Sequence, residues 1–314
     1  MNKLRIVFMG TPDFAVTILD HIIKKGYNVV GVITAPDKQA GRGRKIQQSA
    51  VKQYAEANHL NILQPTNLKS PEFQATLEAL EPNLQIVVAF RMLPQAVWSL
   101  PEFGTFNLHA SLLPDYRGAA PINWAIMNGE TETGTTTFFL DDKIDTGEVI
   151  LQNKTKIAPN ETVGELHDKL MHLGSDLVIE TIQLIKTGNV TTQKQAAHSN
   201  KLAYKIHTDT CKINWNLPTK TIHNHIRGLN PYPAAWTTLV DNEQEISVKI
   251  YDCEAILENH DLQPGQLVTD KKTIKVATQD GFLKINKLKL AGKKLMDSVS
   301  LLNGYSFCNA SKMQ

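Results

Sequence analysis

Three polar side chains occupy alternate positions where an otherwise apolar segment ends: Asn107, His109 and Ser111. Alternate residues of an extended strand point to the same face, so the amide of Asn107 and the imidazole of His109 share one face. An imidazole can gain and lose a proton near neutral pH. An amide, an imidazole and a hydroxyl placed together therefore predict a chemical role for this strand end.

A carboxylate that could serve the imidazole lies further along the chain, in residues 141–148, which form a turn after the strand predicted at 135–140. Asp145 and Glu148 are its two candidates. A carboxylate beside a histidine fixes the ring and stabilises its cation, which is the arrangement that general acid–base chemistry needs.

The elements that must position these groups alternate between strand and helix. Apolar segments at 4–9, 29–33, 86–90 and 105–108 predict buried strands, and helical spacing at 13–25 predicts a helix with Thr11 as N-cap and Pro12 as its first residue. This order predicts an α/β fold with a Rossmann-like, doubly wound parallel sheet. Residues 107–122 leave the carboxyl end of one strand, where such sheets place their ligand sites.

The character of the sequence changes in its last third. Residues 162–186 predict a long helix that opens with a capping box formed by Thr162 and Glu165. Residues 191–206 are polar and lack a period, which predicts a linker. From 207 onward, short alternating segments separated by turns predict an antiparallel barrel. We therefore predict a catalytic domain at 1–190, a linker at 191–206 and a barrel domain at 207–314.

Composition limits the class of protein. The chain has 314 residues, of which 42% are hydrophobic and 20% charged; this is typical of globular proteins and indicates about two domains. No apolar run reaches the roughly 18 residues of a membrane helix, and the first residues enter a strand without a leader, so no membrane association is expected. Three widely spaced cysteines predict no disulfide framework and favour the cytoplasm.

Charge is unevenly distributed. Residues 191–314 carry 16 Lys and Arg against 11 Asp and Glu, a net charge of +5, whereas residues 1–190 carry a net charge of −3. A polyanion could therefore dock on the C-terminal part. Lysines recur on the strand predicted there and just after it, and Lys287 and Lys289 share one strand face, as phosphate contacts would require. The series comprises Lys284, Lys287, Lys289, Lys293 and Lys294.

The first turn does not support a nicotinamide-dependent oxidoreductase. The sequence Gly10-Thr11-Pro12 lacks the second and third glycines of a dinucleotide-binding turn. Pro12 removes a backbone donor, and Asp13 places a carboxylate where a pyrophosphate would lie.

Residues 107–114, 117–122 and 145–147 together resemble the signature of the 10-formyltetrahydrofolate-dependent formyltransferases. Segments 35–44, 226–236 and 291–296 narrow the resemblance to members that act on charged initiator tRNA, and the likeness covers nearly the whole chain. Residues 90–94 depart from the family pattern, because this segment is one residue shorter and carries Arg91.

The resemblance implies transfer of a formyl group from 10-formyltetrahydrofolate, as co-substrate, to the α-amino group of methionine on initiator tRNA. It implies that Asn107, His109 and Asp145 are catalytic, that the C-terminal barrel is OB-like and that no metal is needed. The residues implied to line the folate side are Ser111, Leu112, Leu113 and Pro114.

A basic loop at 34–45 is implied to grip the tRNA acceptor stem. Its cations are Lys38, Arg42, Arg44 and Lys45. The expected partners are initiator methionyl-tRNA and folate, and the chain is expected to be a monomer. One alternative stays open: a formyltransferase of the same fold acting on a sugar nucleotide or a purine precursor. A tRNA-binding module without activity would show damage in the set Asn107, His109 and Asp145, which is intact.

Overall fold

The computed structural model describes residues 3–40, 45–197 and 199–314. They form two compact units, each assembled from three segments of the chain. The N-terminal unit comprises Met1–Gly118, Thr133–Thr155 and His167–Leu202. The C-terminal unit comprises Ala119–Glu132, Lys156–Leu166 and Ala203–Gln314.

The first two thirds of the chain alternate between strand and helix. In chain order the elements are β1 (Ile6–Gly10), α1 (Asp13–Lys24), β2 (Val29–Ile33), β3 (Lys38–Ala40), β4 (Lys45–Gln47), α2 (Ala50–Ala57), β5 (Ile62–Leu63), α3 (Pro71–Glu78), β6 (Leu84–Val88), α4 (Gln95–Trp98), β7 (Thr105–His109), β8 (Arg117–Gly118), α5 (Pro121–Met127), β9 (Glu132–Phe139), β10 (Val149–Lys156) and α6 (Val163–Thr187).

The rest of the chain is mostly strand. Its elements are β11 (Leu202–Ala203), α7 (Thr219–Arg227), β12 (Ala235–Asp241), β13 (Gln244–Leu257), β14 (Leu267–Thr269), β15 (Ile274–Ala277), β16 (Gly281–Leu290), β17 (Met296–Asp297), α8 (Ser298–Leu302) and β18 (Lys312–Met313), with a short 3-10 turn at Asp209–Cys211.

The N-terminal unit is built on a seven-stranded sheet with the order β10-β9-β7-β6-β1-β2-β5. The five strands from β5 to β7 are parallel, and β9 runs antiparallel to β7. Chain order runs outward from β1 in both directions, which is the doubly wound arrangement that the sequence predicts. This arrangement brings the carboxyl ends of β6 and β7 to one edge of the sheet.

Both faces of this sheet are covered. Every residue of β1 is buried, and alternate residues of a strand face opposite sides. Val7 and Met9 pack in one apolar cluster with Phe73 and Leu77 of α3. Strands buried on both faces read as continuous apolar runs, which is why these segments could be recognised in the sequence.

Of two helix N-termini predicted from the sequence, one is confirmed and one is wrong. Thr162 and Glu165 form the predicted capping box ahead of α6: the Glu165 carboxylate accepts from the Thr162 amide at 2.8 Å, and the Thr162 hydroxyl accepts from the Glu165 amide at 3.3 Å. The prediction of Thr11 as N-cap of α1 is wrong. Pro12, with extended backbone, is the N-cap, and no side chain in the described part of the chain caps this helix. The first amide groups of a helix have no acceptor within the helix. A proline at the helix start, which has no amide hydrogen, therefore leaves no hydrogen bond unmade.

The C-terminal unit contains an antiparallel sheet with the order β14-β15-β16-β13-β12-β18, and β17 pairs with β16. The two ends of this order meet. The amide of Leu267 in β14 donates to Ser311 at 3.2 Å, and the amide of Met313 in β18 donates to Gly265 at 2.8 Å. These bonds close the sheet into the predicted barrel, whose interior is an apolar cluster that includes Ile226 of α7.

No single position in the sequence separates the two units, because each consists of three chain segments. Residues 119–132 and 156–166 belong to the C-terminal unit, although both precede 190. Within the N-terminal unit, residues 191–202 are partly paired, because Gln193 forms a bridge with Val149. Boundaries at 190 and 207 stay a prediction. Across residues 3–40, 45–197 and 199–314, no helix has the length and apolar character needed to cross a membrane.

A buried carboxylate, Asp241, ties the C-terminal segment to β12. It accepts hydrogen bonds from the Tyr305 hydroxyl at 2.6 Å, the Cys308 amide at 3.0 Å and the Ser311 hydroxyl at 2.5 Å. Burial alone would raise the pKa of Asp241, but these hydrogen bonds outweigh it and lower the pKa to about 2.

Replacement of Asp241 by asparagine should therefore lower the free energy of unfolding of the C-terminal unit by about 2 kcal/mol at pH 7. The folded-state pKa lies below the unfolded one, so this stabilisation is complete above about pH 4 and is lost as the pH falls toward about 2. Urea unfolding followed by tryptophan fluorescence should show a gap between wild type and Asp241→Asn that closes on acidification. A gap of constant size at all pH values would contradict the assignment.

Candidate active site

Asn107 and His109 lie at the carboxyl end of β7, on the same face of the strand. Their neighbours Phe106 and Leu108 are buried on the opposite face. Leu108 packs directly against Gly174 of α6, where a Cβ atom would lie 2.8 Å from the leucine side chain. The apolar half of β7 thus fixes the strand against a helix, which leaves the polar half to form a site.

His109 is only 7% exposed, and both ring nitrogens have neighbours. Nε2 lies 2.9 Å from the main-chain oxygen of Tyr116. A carbonyl can only accept, so Nε2 carries the hydrogen and donates it. Nδ1 lies 3.9 Å from Oδ2 of Asp145. Nδ1 is therefore the ring atom whose proton can be exchanged.

Asp145 lies in the turn between β9 and β10, with a positive φ of 54°. Its Oδ2 accepts a hydrogen bond from the Gly118 amide at 2.9 Å. Asp141 shapes the turn by accepting from the Thr146 hydroxyl at 2.8 Å. Gly147 is required for close approach, because a Cβ there would lie 1.7 Å from the main-chain oxygen of Phe139. The structure thus brings the predicted carboxylate to the predicted histidine.

Asn107 completes the group. Its Oδ1 is buried, and no described residue donates a hydrogen bond to it. A buried polar atom without a partner costs free energy, so native proteins keep few of them and often at functional sites. This amide is held beside His109 by strand geometry, because β7 pairs with β6 on one side and β9 on the other.

The predicted folate-lining residues 111–114 form a loop that is locked by its own hydrogen bonds. The Ser111 hydroxyl donates to the main-chain oxygen of Asp115 at 2.6 Å, and the Ser111 oxygen accepts from the Thr136 hydroxyl at 2.7 Å. The amide of Leu113 donates to Thr136 at 3.2 Å, and its oxygen accepts from Gln152 at 2.9 Å. These bonds tie the loop to Thr136 of β9 and Gln152 of β10, and Leu112 and Pro114 are its half-buried members.

Of the four predicted tRNA-contacting cations, Lys38 is described and begins strand β3. Lys45 begins β4, which pairs with β3 as a hairpin. Arg42 and Arg44 lie outside the described residues. The hairpin is anchored at its base, where Asp37 accepts hydrogen bonds from Lys52 and Gln64; the bond from Lys52 is the main reason that the pKa of Asp37 is lowered.

Arg91, the residue that departs from the family pattern, has a structural partner. Its guanidinium donates to the main-chain oxygens of Pro65 and Thr66 in the loop that follows β5. The same guanidinium lies 5.6 Å from the centroid of the Phe90 ring. The arginine thus links the loops that follow β5 and β6.

Sequence reasoning missed two parts of the site. The carbonyl of Tyr116, which orients His109, carries no side-chain signal. Gln195, which donates to the main-chain oxygens of Asp145 and Gly147, lies in the polar stretch interpreted as a linker. No sequence signal marks Gln195; only the structure shows that it is half-buried while the residues on both sides of it are exposed.

Residues 4–182 match the family described as formyl transferase, and residues 205–306 match the formyl transferase C-terminal domain. The chain belongs to the formyl transferase family. In this formyl transferase the first matched region, residues 4–182, contains Asn107, His109 and Asp145.

Curated relatives of this formyl transferase are similar along the whole chain. A methionyl-tRNA formyltransferase of Flavobacterium johnsoniae is 58% identical over 314 residues, which is 100% of both chains. A methionyl-tRNA formyltransferase of Bacteroides fragilis is 55% identical over 319 residues, covering 100% of this chain and 98% of the relative.

Solved structures show the same fold at lower identity. The N-formyltransferase of Helicobacter canadensis, in complex with folinic acid and dTDP-3-aminofucose, matches with a TM-score of 0.66 and 24% identity. The match covers 90% of this formyl transferase and 98% of that chain. Sheet and barrel thus belong to a fold that formyltransferases share.

Proposed function

We propose that this formyl transferase moves the formyl group of 10-formyltetrahydrofolate to the α-amino group of methionine on initiator tRNA. The observation that carries the proposal is the placement of Asn107, His109 and Asp145 together at the end of β7. The full-length relatives named methionyl-tRNA formyltransferase supply the acceptor. The proposal places the enzyme in the cytoplasm, as a monomer.

The sugar-nucleotide alternative is not favoured. The structure that holds a dTDP-sugar is 24% identical to this chain, and such a likeness speaks for the fold alone. The curated relatives named for methionyl-tRNA are 50–58% identical along essentially their full length.

The reaction creates a negative charge that Asn107 and His109 stabilise. The amine nitrogen attacks the formyl carbon and gives a tetrahedral oxyanion. The bond to the folate nitrogen then breaks, the amine nitrogen gives up a proton as it becomes an amide, and the folate nitrogen takes one up. The Asn107 amide group donates a hydrogen bond to the oxyanion. A preorganised donor of this kind contributes about 3–4 kcal/mol of transition-state stabilisation.

His109 and Asp145 take up and release the protons that the reaction moves. The Tyr116 carbonyl occupies Nε2–H, so the ring takes or releases its second proton at Nδ1, beside the Asp145 carboxylate. With that proton the ring is a cation, which Asp145 stabilises and which in turn stabilises the oxyanion. The carboxylate also accepts the proton that the acceptor ammonium must lose before it can attack.

Folate binding is assigned to the hydrogen-bonded loop formed by Ser111, Leu112, Leu113 and Pro114. The polar groups of Ser111 and Leu113 are already used in hydrogen bonds to Asp115, Thr136 and Gln152. The loop therefore offers the folate a preorganised wall rather than flexible polar arms. A wall that does not reorganise on binding costs little entropy when the ligand arrives.

The barrel supplies a surface suited to a phosphate backbone. On adjacent strands, Trp236 of β12 lies opposite Lys249 of β13, which in turn lies opposite Lys289 of β16. Lys212 places its Nζ 5.5 Å from the centroid of the Trp236 ring. We refer to these four residues as the basic row. Cations on both sides of an aromatic ring are typical of surfaces that bind unpaired or backbone-exposed nucleic acid.

The lysines of the series predicted from the sequence have different surroundings in the structure. Lys289 belongs to the basic row, whereas Lys287 is paired in register with Asp252 and Asp297. Lys284 lies 3.3 Å from the carboxylate of Glu254. Beside the basic row is a pocket of about 500 Å³, lined in part by Trp236 and Lys249 and by Tyr232, whose side chain is 82% exposed.

Arg42→Ala and Lys249→Ala should each weaken transfer to charged tRNA. Each should also reduce the slope of log affinity against log salt by about 1, because each removes one phosphate contact. Slow hydrolysis of the formyl donor in the absence of tRNA should hardly change. Filter binding of initiator tRNA across a salt series, with the full-length chain, measures the slope.

Lys69→Ala is the matched control, since Lys69 is an exposed lysine outside both the loop and the basic row. Its salt slope should equal that of wild type. Equal losses in donor hydrolysis and in tRNA transfer for Arg42→Ala would instead assign the loop to the folate side.

A further inference from the structure

The segment that follows α6 is bonded to the turn that carries Asp145. Gln193 and Val149 exchange main-chain hydrogen bonds of 2.8 and 2.9 Å, and the Thr192 hydroxyl donates to the Glu148 carboxylate. Within this segment, which we call the strap (residues 192–196), Gln195 is half-buried and its neighbours are exposed. The strap thus lies along the Asp145 turn.

Gln195 uses both ends of its amide. Nε2 donates to the main-chain oxygen of Asp145 at 3.0 Å and to that of Gly147 at 2.7 Å. Oε1 accepts from Nε and Nη2 of Arg117, at 3.1 and 2.7 Å. The guanidinium is a pure donor and the carbonyls are pure acceptors, so the orientation of the amide is determined by its partners.

These bonds close a ring around the catalytic carboxylate. Arg117 holds the Gln195 amide, the amide holds the main chain of Asp145, and the Asp145 carboxylate accepts from the amide of Gly118, the residue after Arg117. The turn needs such support, because Asp145 has a positive φ and an aspartate there is strained. A rotation of this turn would move Oδ2 away from Nδ1 of His109.

We propose that Gln195 is a positioning residue that holds the Asp145 carboxylate at its working distance from His109. It acts through the main chain of the turn and touches neither the formyl donor nor the amine. The proposal rests on the proposed function, since the carboxylate it positions is the one assigned to proton transfer. A glutamine is suited to this role because one side chain must donate to carbonyls and accept from a guanidinium.

The test compares three full-length variants. Gln195→Met keeps the volume and removes every hydrogen bond, whereas Gln195→Glu keeps the acceptor for Arg117 and removes the donors to the turn. Gln193→Ala is the control, because Gln193 is exposed and pairs with Val149 through its main chain. Both Gln195 variants should lower kcat by about 10- to 100-fold, since misplacement by roughly 1 Å costs up to about 10²-fold.

The KM values for donor and tRNA should stay within about twofold of wild type for all three variants, and the thermal midpoint Tm should equal that of wild type. A purely structural role would lower Tm and activity together. A role in supporting Arg117 alone would leave Gln195→Glu active. Either of these results, or an unchanged kcat in Gln195→Met, would overturn the proposal.

A double variant with Asp145→Asn tests whether Gln195 acts through the carboxylate. If it does, Gln195→Met should add little to the loss already caused by Asp145→Asn, because residues acting as a unit are not additive. Fully multiplicative losses would contradict the proposal.

Hydrogen exchange separates failure of this inference from failure of the proposed function, because it needs no substrate. Amides of residues 141–148 should exchange faster in Gln195→Met than in wild type, and should not change in Gln193→Ala. Wild-type protein without transfer activity would refute the proposed function. Unchanged amide exchange at residues 141–148 in Gln195→Met would show that Gln195 does not hold the turn in place.

Discussion

Alanine at His109 or at Asp145 is expected to reduce kcat for formyl transfer by about 10²- to 10⁴-fold, the range typical of a lost general acid–base group. The two residues meet through Nδ1 and Oδ2, 3.9 Å apart, at the strand end where we propose that the amine loses its proton. Interactions made mainly in the transition state change kcat rather than binding. Single-turnover transfer with saturating donor and charged tRNA measures the effect.

Binding provides the control for this first prediction. Both variants should bind folate and tRNA nearly as well as wild type, because neither residue is assigned to the loop at 111–114 or to the basic row. His59, an exposed histidine, serves as a matched site, and His59→Ala should retain full activity. Near wild-type kcat in both His109→Ala and Asp145→Ala would show that the site assignment is wrong.

Asn107→Asp is expected to cost about 10²- to 10³-fold in kcat, the range for removal of one oxyanion donor. The carboxylate has almost the same shape as the amide, but it cannot donate a hydrogen bond, and its charge repels the oxyanion. The buried Oδ1 has no donor among the described residues. The aspartate would therefore bury a negative charge without a hydrogen-bond donor to stabilise it.

Asn107→Ala separates these causes, because it removes the donor without adding a charge. Asn107→Asp should be at least as damaging as Asn107→Ala, with both folded to the same helical and strand content by circular dichroism. Wild-type activity in Asn107→Asp would mean that no negative charge develops beside this residue.

The central strands and the Asn107–His109 pair were predictable because both depend on local periodicity. A strand repeats every two residues, so residues 107 and 109 must share a face wherever the strand lies in the sheet. Asp145 was a candidate on chemical grounds, but its approach to His109 depends on a turn shaped by Asp141 and Gly147, which only the three-dimensional structure reveals.

Other features could not be read from the sequence for physical reasons. The Tyr116 carbonyl belongs to the main chain, so no residue type marks it. Gln195 lies in a stretch without a period because it bonds to a turn rather than packing a face. The segments 119–132 and 156–166 join the C-terminal unit through contacts distant in sequence, and a boundary drawn along the chain cannot represent such an arrangement.

Formylation of the amino group of methionine on initiator tRNA is the activity proposed for this chain. It is tested most directly by a side-by-side transfer assay with 10-formyltetrahydrofolate as donor and four acceptors: initiator methionyl-tRNA, elongator methionyl-tRNA, an amino-sugar nucleotide and free methionine. We predict transfer to initiator methionyl-tRNA at a kcat/KM at least about 10²-fold above the other three, and loss of that transfer in His109→Ala. Preferential formylation of the amino-sugar nucleotide, or transfer that survives in His109→Ala, would contradict it.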